Sequence, residues 1–317
     1  RNQVSFMLSA CNFYMPIFEE ALDAYGLPLE LKYLPIIESA LNPSAVSRAG
    51  ASGLWQFMIG TGKIYGLESN SLVDERRDPI KATWAAARYL KEMYDIYGDW
   101  NLVIAAYNCG PGTINKAIRR ANGETDYWKI YNYLPKETRG YVPAFIAANY
   151  VMTYYCDHNI CPMETNIPAS TDTVQVNKNL HFEQIADLCN VPLDQIKSLN
   201  PQYKKQMIPG DSKPYTLRLP IDAISTFIDK QDTIYTHRAD ELFRNRKTVA
   251  VKDITPATRK TTSAVAGKGN LTYYTIKSGD TLSTIARKYG VTIKDIQRWN
   301  GMSSTKIAAG KRLKIYK

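Results

Sequence analysis

The chain has 317 residues, which is more than one domain usually holds, so we expect two or three folded units. Its 44% hydrophobic content supports buried cores, but no run of about 18 apolar residues exists that could span a bilayer. The net charge of +10 is uneven, because residues 1–160 carry −1 and residues 161–317 carry +11. The basic half favours a polyanionic partner: nucleic acid, anionic lipid or an acidic cell-wall polymer.

Residues 12–157 are predicted to be almost wholly helical. Pro28 and Glu30 suit the first turn of a helix that leads into LPIIESALNP at residues 34–43. In this stretch Glu38 stands among apolar residues, and a carboxyl group buried there would have a raised pKa. A raised pKa is what a general acid needs, although an acidic residue at a helix end is more often simply exposed to solvent.

The next long helix is predicted within residues 80–98. Ile80, Trp84, Leu90 and Tyr97 lie on one apolar stripe at helical spacing, and Gly98 closes the helix. Core packing explains this stripe.

The five cysteines are too few for a disulfide scaffold and odd in number. Cys156 and Cys161, in CDHNIC, allow three alternatives: a local disulfide, two free thiols, or a metal site that includes His158. A metal site of this spacing normally needs a second pair of ligands.

An internal repeat follows. Residues 181–200 match residues 281–300 at a constant offset, as at Ile185 with Ile285 and Ile196 with Ile296. Each copy predicts a strand, two helices and a strand, which make a small two-layer module. Between the copies, residues 221–247 contain a predicted helix and residues 255–270 form a polar linker, so the C-terminal copy should be flexibly tethered.

Four short blocks occur in a fixed order in the first half: ES at 38–39, GLWQFM at 53–58, AYNCG at 106–110 and ETRGYV at 137–142. With them, residues 30–155 resemble the catalytic domain of lytic murein transglycosylases. The likeness is to the soluble-lytic-transglycosylase and goose-lysozyme-like group, and most closely to the membrane-bound D type.

The repeat resembles LysM, a module that binds glycans containing N-acetylglucosamine. Residues 274–301 match it closely, whereas the earlier copy has NKNL at 177–180 where the later copy has KSGD. In the LysM family the sugar groove is built from the loop between first strand and helix and the loop before the last strand. That implies glycan contacts at Gly279, Asp280 and Thr281.

The two resemblances imply a mainly α fold: a lysozyme-like helical catalytic domain followed by small α+β modules with the order strand, helix, helix, strand. The expected ranges are 1–160 for the catalytic domain, 171–220 for a degenerate LysM-like module, 221–270 for helix and linker, and 271–317 for the LysM module.

The family chemistry implies a peptidoglycan lyase that cleaves between N-acetylmuramic acid and N-acetylglucosamine and forms a 1,6-anhydro product. Glu38 would act as general acid and then as base. Glu137 is interpreted as a helix-start acid or an ion-pair partner. Trp55 and Phe57 suit core packing as well as sugar stacking. The predicted substrate-binding residues are Ser39, Gln56, Phe57, Tyr107, Asn108 and Tyr141.

No cofactor or metal is expected. The expected partner is the peptidoglycan glycan strand and not nucleic acid, and the chain is expected to act as a monomer. Substrate location implies the periplasm or cell envelope, and a removed N-terminal anchor is the one route by which membrane contact is expected, if there is any. Two alternatives remain: a lysozyme-like muramidase that uses water, and a non-catalytic peptidoglycan-binding scaffold.

Overall fold

The computed structural model describes residues 1–164, 167–168, 170–243, 271–277, 280–300, 302, 307 and 310–316. The chain divides into two compact units, Arg1–Pro256 and Ala257–Lys317. The linker predicted at residues 255–270 lies outside the described residues, so its tethering role stays a prediction. Among the described helices, none combines the length and the apolar character needed to cross a membrane.

The prediction that residues 12–157 are almost wholly helical is confirmed in its main part, although residues 40–58 form a loop without a helix. Short 3-10 turns at Leu29–Tyr33, Glu75–Arg77 and Tyr131–Tyr133 connect the α-helices. The α-helices are α1 (Asn2–Ala24), α2 (Leu34–Ser39), α3 (Ile59–Ile64), α4 (Pro79–Tyr97), α5 (Trp100–Cys109), α6 (Pro111–Arg120), α7 (Tyr127–Ile130) and α8 (Lys136–Thr153). The mainly α fold expected for this region is therefore confirmed.

Helix α4 lies between α1 and α5 at the centre of this domain. It starts after Asp78, whose carboxylate accepts the backbone N–H groups of residues 80 and 81, and it ends at Gly98 with φ +62°. The stripe prediction is wrong for Ile80 and Trp84, which are 37% and 36% exposed. The buried face carries mainly alanines together with Leu90, and small side chains let neighbouring helices approach closely.

The first repeat, defined here as residues 171–220, contains more strands than predicted. Its elements are β1 (Thr171–Val176), β2 (Asn179–His181), α9 (Phe182–Cys189), α10 (Leu193–Leu199), β3 (Met207–Pro209) and β4 (Tyr215–Pro220). Strand β1 pairs antiparallel with β4, and β2 pairs antiparallel with β3. Three further helices, α11 (Ile221–Asp229), α12 (Gln231–Thr236) and α13 (Ala239–Leu242), follow it, and Phe227 and Ile234 are buried in the same core.

The second repeat, residues 271–316, has the predicted order: β5 (Leu271–Thr275), α14 (Leu282–Tyr289), α15 (Ile293–Asn300) and β6 (Arg312–Tyr316). Strands β5 and β6 are antiparallel. The two repeats share one pair of side-chain hydrogen bonds. Asn200 bonds both backbone groups of Arg218, and Asn300 does the same with Lys314, so each asparagine ties a helix to the last strand of its repeat.

The first repeat belongs to the same compact unit as the helical domain. Leu72 and Val73 of the helical domain are 4% and 0% exposed because they pack in the core of the first repeat. The boundary expected near residue 160 therefore separates two parts of one unit, which share apolar contacts.

Cys156 and Cys161 are exposed and form no disulfide, so the alternative of a local bridge in CDHNIC is wrong. The ring of His158 packs edge-on against Tyr150, with centroids 5.6 Å apart.

Candidate active site

Glu38 occupies the last turn of α2, and the chain turns sharply just after it. Pro35 stands in the first turn of this short helix, and the two residues after Ser39 adopt positive φ, 51° at Ala40 and 59° at Leu41. Helix α2 packs against α8, from which Tyr141 donates a hydrogen bond to Oε1 of Glu38. Two of the predicted site residues, 103 positions apart, are thus in direct contact.

The Glu38 carboxyl has the electrostatics of a general acid. Burial is the main cause that raises its pKa to about 7 from 4.5, and the negative charge of Glu137 raises it further. The hydrogen bond from Tyr141 acts in the opposite direction because it stabilises the carboxylate. Near neutral pH the group is therefore present in both protonation states, as a residue that first gives and then takes a proton must be.

Tyr107, on α5, forms another side of the site. Its hydroxyl donates to the backbone oxygen of Trp55 at 2.7 Å, and its ring lies 5.6 Å from that of Tyr89. Burial and the charge of Glu38 raise the pKa of Tyr107 well above its ordinary value of 10. The same two causes act on Tyr141, so both hydroxyls stay protonated.

The active-site loop, defined as residues 50–57, is held by backbone contacts. Ser39 lies with its hydroxyl 2.9 Å from the oxygen of Leu54 and 3.1 Å from that of Pro35, so it donates to the backbone and not to Glu38. The side-chain nitrogen of Gln56 donates to the oxygens of Gly53 and Ala45, at 2.8 and 3.3 Å. Ser39 therefore anchors the active-site loop and makes no hydrogen bond to the Glu38 carboxyl.

Phe57 and Trp55 belong to the core. Phe57 is 3% exposed and packs against the rings of Tyr65 and Tyr89, and Trp55 is fully buried with its ring nitrogen 2.9 Å from the Thr83 hydroxyl. A side chain this deeply buried presents no face to a sugar. The prediction that Phe57 binds substrate is wrong.

Asn108 follows Tyr107 at the end of α5. Its amide oxygen accepts a hydrogen bond of 2.9 Å from the hydroxyl of Thr138, which is itself buried on α8. Within the described part of the chain no group accepts from its amide nitrogen, which leaves those two N–H groups available to a ligand oxygen. Glu137, one residue before Thr138, is exposed in the first turn of α8, as predicted for a helix-start acid.

Two of the residues predicted to bind glycan in the second repeat make hydrogen bonds within that repeat, Asp280 to the end of β5 and the turn after it, and Thr281 at the start of α14. Asp280 accepts from the backbone N–H of Lys277 and from the hydroxyl of Tyr274, both at 2.8 Å, and these bonds lower its pKa. Thr281 and Thr284 exchange hydrogen bonds at the start of α14. Gly279 lies outside the described residues.

Sequence reasoning missed a buried ion pair beside the active-site loop. Asp74 and Arg76, in DERRD at 74–78, are 1% and 5% exposed, although such a run normally marks a solvated surface. The closely spaced opposite charges were the available signal, because charges of opposite sign can neutralise one another when buried.

Three segments of this chain are similar to known domain families. Residues 15–130 match the transglycosylase SLT domain, residues 170–236 match the LysM-like domain of lytic transglycosylase MltD, and residues 274–315 match the LysM domain.

The chain is also similar to whole proteins. It is 33% identical over 294 residues to membrane-bound lytic murein transglycosylase D of Escherichia coli K12, covering 92% of this chain and 60% of that protein. It is 33% identical over 124 residues to the soluble lytic murein transglycosylase of the same strain, covering 37% of this chain and 19% of that protein. The solved structure of the soluble lytic transglycosylase SLT70 from Escherichia coli matches with TM-score 0.39 and 29% identity, over 45% of this chain and 24% of that one. The chain thus spans about three fifths of its D-type relative.

Proposed function

We propose that this chain, in which a transglycosylase SLT domain precedes an MltD-type LysM-like domain and a LysM domain, is a peptidoglycan lytic transglycosylase. The observation that carries the proposal is the half-buried carboxyl of Glu38, with its pKa near 7 and its hydrogen bond from Tyr141. The substrate is the bond between N-acetylmuramic acid and N-acetylglucosamine.

In the first step protonated Glu38 gives its proton to the glycosidic oxygen. The bond from C1 of the muramic residue to that oxygen breaks, and the N-acetylglucosamine side leaves with a new hydroxyl. Positive charge then develops at C1 of the muramic ring, and the carboxylate left at Glu38 stabilises it. Tyr141 holds this carboxylate in place through its hydroxyl.

In the second step the Glu38 carboxylate takes the proton from the C6 hydroxyl of the same muramic residue. The C6 oxygen bonds to C1 and closes a 1,6-anhydro ring, so no water is consumed and Glu38 regains its proton. The amide nitrogen of Asn108 and the amide oxygen of Gln56 would orient the sugars through their hydroxyl and N-acetyl groups. Both are neutral, so they can bind sugar without forcing Glu38 to ionise.

The muramidase alternative rests on one observation, the charge of Glu137, which acts on Glu38. A hydrolase of the usual kind uses a second carboxylate as base or nucleophile. Glu137 is exposed in the first turn of α8, where it has the position of a helix-start acid. We therefore assign it an electrostatic role, and product analysis distinguishes the two chemistries.

The test is mass spectrometry of purified sacculi digested with the full chain. We expect products that end in 1,6-anhydromuramic acid, and none from Glu38→Gln, which has nearly the same shape but no acidic proton. Products with reducing ends would identify a hydrolase and refute the lyase assignment. Digestion by Glu38→Gln at the wild-type rate would show that Glu38 is not the acid.

We place the wall-binding function in the second unit, because the basic charge is concentrated there. Residues 257–317 contain 13 Lys and Arg against 2 Asp and Glu, a net charge of +11, whereas residues 161–256 contain 12 of each. Murein is anionic, so attraction should bring this unit to the wall and should weaken as salt rises. A cell-envelope location and a monomeric enzyme fit this proposal.

Pull-down with purified sacculi tests the assignment. A chain ending at Pro256, where the first unit ends, should bind sacculi more weakly than the full chain, and the difference should shrink as salt rises. Equal binding by both chains at every salt concentration would remove the second unit as a wall anchor.

A further inference from the structure

The bridging segment, defined as residues 68–78, connects the first repeat to the helical domain. The backbone N–H of Lys204 donates to the oxygen of Leu72 at 2.8 Å, and that of Asp74 donates to the oxygen of Gln202 at 2.9 Å. Val73 therefore forms an antiparallel bridge with Tyr203. An isolated β-bridge thus ties the segment to the first repeat.

The same segment holds the active-site loop through a buried ion pair. Arg76 binds both carboxylate oxygens of Asp74, at 2.8 and 2.9 Å, and donates from its remaining terminal nitrogen to the backbone oxygens of Gly50 and Phe57, each at 2.9 Å. Lys204 of the first repeat lies 3.7 Å from Asp74 and donates to the backbone oxygen of Asn70. Buried charges are stable only when each is paired, so Lys204 contributes to this cluster.

The active-site loop in turn contacts the side chains of Ser39 and Tyr107. Its Leu54 oxygen accepts from Ser39, next to Glu38, and its Trp55 oxygen accepts from Tyr107. Gly53 lies so close to the bridging segment that a Cβ there would be 1.8 Å from the backbone oxygen of Arg76. A continuous set of contacts thus runs from Lys204 to the hydroxyl of Tyr107.

The first repeat has an insertion that makes this contact. Eighteen positions separate Asn200 from Arg218, but only 14 separate the equivalent Asn300 and Lys314. The longer loop contains Gln202–Lys204, which pair with the bridging segment.

In the second repeat the implied sugar groove lies between the loop after the first strand and the loop before the last strand. In the first repeat the two corresponding loops contact each other. Strands β2 and β3 pair across them, and the backbone N–H of Asn179 donates to the carboxylate of Asp211. A Cβ at Gly210 would lie 2.3 Å from the backbone oxygen of Lys178, so no sugar ring fits between those two backbones.

We propose that the first repeat is a buttress for the active site, which acts through Lys204, Asp74 and Arg76 on the active-site loop, and is not a second glycan-binding module. These three are positioning residues, since the contacts described join them to the loop and not to Glu38. The kinetic part of this proposal rests on the proposed lyase function; the structural part does not.

The test compares the full chain with Lys204→Glu, which places a negative charge beside Asp74, and with the milder Lys204→Met. Lys205→Glu is the matched control, because Lys205 is the exposed next residue and undergoes the same change of charge. Hydrogen exchange of the backbone amides in residues 50–57 reports on the loop independently of activity. Turnover of a soluble glycan oligomer, measured against pH, reports on the chemistry.

We expect faster exchange in residues 50–57 and a turnover lowered by about tenfold in Lys204→Glu, since misplacing groups by ~1 Å can cost up to ~100-fold. Lys204→Met should show smaller changes in the same direction. The alkaline limb of the pH profile should stay in place, because burial between α2 and α8 sets the pKa of Glu38.

The buttress proposal would be overturned if both Lys204 variants showed the same hydrogen exchange in residues 50–57 and the same turnover as Lys205→Glu. If Lys204→Glu fails to fold, Lys204→Met alone decides. An inactive wild-type chain would instead refute the proposed function, while the exchange comparison would still test the buttress.

Discussion

Substitution of Glu38 by Gln should change how the stability of the protein depends on pH. The wild-type carboxyl has a pKa of about 7 in the folded protein and about 4.5 when exposed. The folded state therefore binds more protons than the unfolded state between those values, and stability falls as pH rises through this window. At about 1.4 kcal/mol for each tenfold change in the proton equilibrium, ionised Glu38 destabilises the fold by up to about 3 kcal/mol.

Glutamine has nearly the same shape, can still accept the hydrogen bond from Tyr141 and cannot ionise. The Glu38→Gln protein should therefore match the wild type at about pH 4 and exceed it by up to about 3 kcal/mol at about pH 8. Urea unfolding of both full chains across this range gives the difference, and tryptophan fluorescence follows it because Trp55 is buried in the same core.

The matched control is Glu20→Gln, which removes an exposed carboxyl from α1. Its stability difference from wild type should not vary with pH by more than a few tenths of a kcal/mol. A stability difference for Glu38→Gln that is equally constant from acid to alkaline pH would show that burial does not raise the pKa of Glu38, and would remove the physical basis for its role as acid.

Three further substitutions test the surroundings of Glu38. Tyr141→Phe removes the hydrogen bond that stabilises the carboxylate, so the alkaline limb of the pH–rate profile should move to higher pH while turnover falls; an unchanged limb would contradict the contact. Glu137→Gln removes a negative charge and should move the same limb to lower pH, so a shift in the other direction would contradict the electrostatic role. Gly53→Ala adds a carbon 1.8 Å from a backbone oxygen at φ +89°, and thermal unfolding should show a loss of at least about 2 kcal/mol; wild-type stability would mean that the loop is not packed this closely.

Much of the candidate site could be predicted from short motifs in the sequence. Glu38 among apolar residues indicates a raised pKa, and the four blocks place Tyr107, Asn108 and Tyr141 in the same domain. The structure brings Tyr141 into contact with Glu38 and Tyr107 within the influence of its charge. Phe57 was assigned wrongly because an aromatic residue beside a polar motif suits a core and a sugar platform equally well, and only burial distinguishes them.

The boundaries between folded units could not be read from composition. The repeat is clear in the sequence, but whether a copy stands alone depends on its surface contacts. The four additional positions between Asn200 and Arg218 appear in the sequence only as a longer loop. Their pairing with Leu72 and Asp74 joins residues more than a hundred positions apart, and no local pattern encodes such a contact.

By itself, the sequence determined the helical first half, the two related modules, the apolar surroundings of Glu38 and the excess of basic residues in the second half. These properties depend on the spacing and composition of residues along the chain. They can be read without knowing which distant residues are in contact. Only the tertiary structure decided that Asp74, Glu75 and Arg76 of the DERRD run are buried and that Asp74 and Arg76 hold the active-site loop. The physical reason is that burial of a charge becomes favourable only when distant residues supply its partners, here Lys204 and the backbone oxygens of residues 50 and 57.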